Sequence, residues 1–122
     1  MPLLQFRCLI MLMAMGLSGL SWSSGIEDST PEQRAALQTG FMKDQLKLSA
    51  ETLLKVDAIN LKYAQASEPV LKGSDGIFQK RSKMQSIMDS KDQELKKVLS
   101  EDEFQRYNSI KDEIKPYLES HL

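Results

Sequence analysis

Apolar positions along the chain repeat at helical spacing in four successive runs. The second run is the most regular: Thr52, Val56, Ile59, Tyr63, Ala66 and Val70 alternate steps of four and three. That spacing lays one stripe along a helix, turned toward a partner helix. A third run extends from Ile77 to about Leu99, with Ile77, Met84, Met88, Leu95 and Val98 on its stripe. Phe78 and Ile87 widen that face, and Arg81 and Lys91 interrupt it. The first run holds Leu37, Phe41, Met42, Leu46 and Leu48 and is weakened by Gly40. The fourth, Glu101 to about Leu118, puts Phe104, Tyr107, Ile110, Ile114 and Tyr117 on one side. No stretch sustains a period of two, so no strand is predicted. "KGSDG", Lys72 to Gly76, is a turn between the second and third runs, and Pro69 should kink or stop the helix before it. The pattern predicts an all-α domain of about four helices: a long antiparallel helical hairpin with a flanking helix at each end. Such a hairpin cannot enclose a thick core. It leaves one broad face open or shares it with a second copy, so a homodimer is expected.

The helix boundaries carry their own signals. In "TPEQ", Thr30 caps a free backbone N–H, and Pro31 takes the first helical position, where its missing N–H costs nothing. Gln33 reaches back to complete a capping box. The residues before it, Gly25 to Thr30, read as a short flexible lead. Two later boundaries share a phrase, "KLSAETLLKV" from Lys47 and "VLSEDEFQRY" from Val98. Ser49 and Ser100 are the caps. Ser100 pairs with Glu103 in a full capping box, and three acids sit at the positive end of that helix dipole. Ser49 makes a weaker version, because Thr52 stands where Glu or Gln would. Leu48 and Leu99 precede the caps and staple onto Leu53 and Phe104. Each phrase ends one helix and starts the next at a fixed angle.

Composition narrows the class. The chain has 122 residues, 41% hydrophobic and 27% charged, which allows one small domain. Arg7 followed by the apolar run Cys8 to Leu20 resembles a secretory signal, since a membrane span needs about 20 apolar residues. Small residues place cleavage after Ser23, or as late as Gly25. The expected organisation is a signal peptide over 1–23 and one helical domain over 24–122, exported, with no membrane span after cleavage. Cys8 is the only cysteine and leaves with the signal. The mature domain then has no disulfide and no thiol, and must hold together by packing or by dimerising. Without Arg7, 15 basic residues face 17 acidic ones, which excludes a nucleic-acid partner by charge. From Thr52 to Met88 the balance reverses, with six basic residues against three acidic ones.

No catalytic or metal chemistry emerges. His121 is the only histidine and sits at the C-terminus, so no usual metal site can form. The carboxylates at Glu101–Glu103 and Asp112–Glu113 suit a helix start and a solvated face. No phosphate loop and no nucleophile–base pair stands out. The expectation is a non-enzyme without cofactor or metal. Binding has better candidates. Phe78, Met84, Ile87 and Met88 offer an adaptable apolar surface, and Lys80, Arg81 and Lys83 give it a basic rim. Methionine suits surfaces that accept many partners, and the rim would draw acidic segments of a client.

"LSAET" (Leu48 to Thr52) and "LSEDE" (Leu99 to Glu103) resemble the paired LTxxQ motifs of the Spy/CpxP family of periplasmic proteins. The likeness covers about Gln45 to Tyr107. "TPEQ" has the family's wording without the preceding Leu. Both motifs carry Ser for Thr, which caps equally well, and the final Gln is Thr52 or Glu103. The resemblance implies a cradle-shaped all-α homodimer in the periplasm. Its concave face would hold unfolded or partly folded client proteins without ATP during envelope stress. It also implies an alternative: a periplasmic regulator that binds a sensor kinase domain, or a metal-stress accessory protein.

Overall fold

Each of the three predicted caps opens a helix. The computed structural model describes residues 25–122; the expected signal segment, 1–23, lies outside them. The chain is all-helical, with no strand among the described residues. A single turn, α1 (Gly25–Asp28), precedes five longer helices: α2 (Pro31–Leu46), α3 (Ala50–Leu71), α4 (Ile77–Val98), α5 (Glu101–Ile110) and α6 (Ile114–His121). A 3-10 turn, Lys111–Glu113, stands between α5 and α6. Among the described residues no helix is long and apolar enough to cross a membrane.

The capping chemistry explains where the helices begin. Thr30 Oγ1 accepts from the Gln33 N–H at 3.1 Å, and Gln33 Oε1 accepts from the Thr30 N–H at 2.9 Å. Ser100 and Glu103 exchange the same pair of bonds at 3.1 and 2.8 Å. Ser49 accepts from the Thr52 N–H at 3.3 Å, and its hydroxyl donates to Thr52 Oγ1 at 3.0 Å. The weaker box is therefore half a box, as Thr52 cannot reach the cap's backbone. Leu48 and Leu99 are both buried, and Leu53 and Phe104 pack on the same core. The α2–α3 corner also needs Lys47 in the left-handed region (φ 51, ψ 54), where its N–H donates to Lys43 O at 2.9 Å.

The core gathers at one end of the molecule. Phe41, Met42 and Leu46 of α2 meet Val56 of α3, Leu95 at the end of α4, and Tyr107, Ile114 and Leu118 of α5 and α6. The Phe41 and Tyr117 rings pack at a tilt, with centroids 4.8 Å apart. Fully buried side chains such as Leu95 and Val56 each stabilise the fold by about 1.5–3 kcal/mol. The first half of α4 contributes nothing to this cluster. There α4 lies against α3 and is tied near the turn by Lys80 Nζ to Leu71 O at 3.3 Å; in the second half of α4, Glu94 pairs with Lys62 of α3 at 2.8 Å.

Four features differ from the sequence expectation. The lead is not flexible: Ser29 is buried, and the buried Arg34 guanidinium donates to Ile26 O at 3.3 Å, Ser29 O at 2.8 Å and Ser29 Oγ at 3.0 Å. The same guanidinium pairs with Glu68 of α3. Carbonyls freed at the end of α1 thus meet a charged donor rather than water. The expected fourth helix is two helices. Pro116 lacks an N–H and its ring crowds the carbonyl of Asp112, so the chain tightens to a 3-10 turn one turn earlier. Pro69 does not stop α3, which runs on to Leu71. Finally, the buried line of α3 passes through Val56, Asn60, Ala64 and Ser67, and Ala66 is exposed. α3 has neighbours on two sides, and the predicted stripe is one flank of a wider buried face. Asn60 survives there because its Nδ2 donates to Thr39 Oγ1 at 3.0 Å, and Thr39 donates on to Asp57.

Candidate functional site

The predicted client residues divide into an open tip and a cleft. At the tip, Ile77 and Phe78 begin α4 and are 67% and 81% exposed. No helix covers them, because only the end of α3 and the turn reach this far. Arg81, one turn on, is exposed and makes no ion pair among the described residues. Lys80 and Lys83 are engaged locally. Lys80 meets the last carbonyl of α3, and Lys83 pairs with Asp75 of the turn at 2.5 Å. The free basic group beside the apolar tip is therefore Arg81.

Met84, Ile87 and Met88 are half-buried farther along α4. Met84 and Met88 border a cleft of about 360 Å³ between α3 and α4 on one side and α1, α2 and the α5–α6 segment on the other. Its apolar walls also include Ala64, Leu71, Ile114 and Leu118. Arg34, Gln38, Lys91, Asp92, Tyr107 and Lys111 supply its polar groups. Across it, the Tyr107 hydroxyl donates to Asp92 Oδ1 at 2.6 Å, and Lys111 Nζ donates to Asp92 Oδ2 at 3.2 Å. Burial, then the Asp92 carboxylate, push the Tyr107 phenol far above its ordinary value, so it remains a neutral donor. Hydrogen bonds from Lys72 and Arg34 hold the Glu68 carboxyl below its usual range.

By sequence, Lys91 interrupts the apolar stripe. It occupies a stripe position, buried, with its Nζ donating to Gln38 Oε1 at 2.7 Å. Among the described residues no carboxylate oxygen lies within ion-pair distance. Burial lowers its pKa to about 8, partly opposed by Asp92. The signal for Lys91 was present: the steps Ile77, Arg81, Met84, Met88, Lys91, Leu95 keep the helical period through the charge. Arg34 and Gln38 carried no such signal, because their roles depend on α3 and α4.

The cap residues Leu48, Ser49, Thr52, Leu99, Ser100 and Glu103 lie at the two corners and not in the cleft. His121 stacks on Tyr117 at the chain end. Among the described residues no group of three or more His, Cys, Asp or Glu side chains is placed to hold a metal ion. Compared with known proteins, the chain matches no family model, no curated protein and no solved structure.

Proposed function

We propose that this protein is an ATP-independent periplasmic holdase that binds unfolded or partly folded proteins during envelope stress. On this reading α3 and α4 act as an antiparallel hairpin. Two copies of it form a cradle of the Spy/CpxP kind. The observation that carries the reading is the uncovered tip: Ile77 and Phe78 lie open to water beside the unpaired cation Arg81. Two adjoining apolar side chains open to water offer a contact surface to apolar client segments. The adjoining methionines adapt to irregular client side chains. Arg81 favours acidic segments and loses that pull at high salt.

The test is light scattering from a chemically denatured client diluted into buffer without nucleotide. The mature protein should suppress aggregation of several unrelated clients at near-stoichiometric amounts. The Ile77→Glu/Phe78→Glu variant should lose most of that suppression and keep its helicity and melting temperature, since neither side chain is packed. Full suppression by the variant would overturn the tip as the capture surface. Failure of the wild-type protein with every client would overturn the holdase reading and favour one specific partner, such as a sensor domain.

A further inference from the structure

Client capture at the tip leaves the cleft's polar groups without a role. Lys91 is 2% exposed, yet its ammonium, which carries three donors, meets a single acceptor on Gln38. An ammonium is not withdrawn from water at no cost, and it normally meets a counter-charge when buried. The other buried or half-buried charges bordering the cleft are matched. Arg34 pairs with Glu68, and Lys111 pairs with Asp92. Asp112 and Lys115 are exposed at the mouth, where water screens them. The inner cleft therefore holds one unbalanced positive charge within mostly apolar walls.

We propose that this cleft binds a small monoanionic amphiphile: a carboxylate on one unbranched alkyl chain. The carboxylate meets Lys91, and the chain lies along Met84, Met88 and Leu71. One unbalanced cation selects a single negative charge, and a dianion would leave an excess. The volume of about 360 Å³ is at the small end of ligand sites, which run from about 300 to 1,000 Å³. It suits a chain of medium length. Unbranched methionines on the wall adjust to such a chain. A neutral ligand would leave Lys91 as it is, and a cation would repel it. The site goes beyond client capture and requires neither Ile77 nor Phe78.

The experiment is titration of the mature protein with decanoate, decanol and decylamine, each below its micelle-forming concentration. Methionine methyl NMR follows the site, with calorimetry for affinity. Met84 and Met88 should shift with decanoate, and the core residue Met42 should not. Decanol should bind at least about tenfold more weakly, and decylamine should not bind. Lys91→Met should weaken decanoate roughly ten- to a hundredfold, the range of one hydrogen bond to a charged group, and should narrow the gap to decanol. The Ile77→Glu/Phe78→Glu variant should bind decanoate as the wild type does, which separates this site from the capture surface. Equal binding of decanoate and decanol by the wild type would overturn the proposal whatever the variants do. So would shifts confined to Met42, or no shift at all.

Discussion

Ser100 opens α5 with a reciprocal pair of hydrogen bonds, one of which, donated by the Glu103 N–H, depends on the Ser100 hydroxyl oxygen alone. Ser100→Ala should cost about 1 kcal/mol, which lowers the melting temperature by about 4–8 °C in a domain of this size. Ser100→Asp should restore most of it. An unchanged melting curve by circular dichroism would mean that Leu99 packing alone sets the corner. Such caps were legible in the sequence because every atom involved lies within four residues. Lys91 was only half legible. Its register was visible, but its burial depends on Gln38, 53 residues away. Its titration gives a second prediction. The folded pKa of about 8 lies below the ordinary 10.5. Between those values the unfolded chain keeps the proton that the folded chain has released, so stability rises with pH across that window. The rise is bounded at roughly 3 kcal/mol by the size of the shift. Above about pH 10 the buried Tyr107, held neutral, begins to act in the opposite direction. Urea unfolding between about pH 7 and pH 10 should show the rise in the wild type and a flatter profile in Lys91→Met. A rise of equal size in the variant would assign it to other groups.

The helices show where periodicity suffices and where it does not. The starts of α2, α3, α4 and α5 followed from caps and one turn, because these are local rules. The break between α5 and α6 was written in Pro116, but a proline near a helix end has two outcomes, a stop or a tightened turn. Which one occurs depends on Ile114 and Leu118 both reaching the core. The buried line on α3 was misjudged by one position, because a stripe reports a single neighbour and α3 has two. Glycine gives a test at this scale with opposite signs for one substitution. At Gly40, within α2, an added Cβ meets nothing within 4 Å. Gly40→Ala should stabilise by about 0.5–1 kcal/mol through helix propensity. At Gly73, in the turn, the same Cβ would stand 2.7 Å from the backbone oxygen of Pro69. Gly73→Ala should destabilise by about 1–3 kcal/mol, the usual cost of forcing backbone to move. Urea titration of both variants decides the matter. A stabilised Gly73→Ala would show that the end of α3 gives way easily.

The whole molecule has a packed end and an open end, and the two should differ in local stability. Leu95, Val56 and Tyr107 are enclosed by several helices, whereas the first two turns of α4 rest on α3 and the turn alone. Amides that open only with global unfolding carry the full stability, and those in thinly packed segments open locally at much lower cost. Native-state hydrogen exchange should therefore show a gradient along α4. Protection should be greatest around Leu95 and fall steadily toward Lys83 and the turn. The C-terminal turns of α3 should fall less, because Glu68 is held by both Arg34 and Lys72. Lowering the pH through the depressed Glu68 pKa removes that hold, so the end of α3 should lose protection in acid before the core does. A soft tip would suit the proposed capture of irregular clients, because the segment asked to adapt has the least packing to lose. Uniform protection along α4 would mean that something covers Ile77 and Phe78 in solution. A second copy of the chain would do so, and protection that falls on dilution would then identify the tip as a dimer contact rather than a client surface.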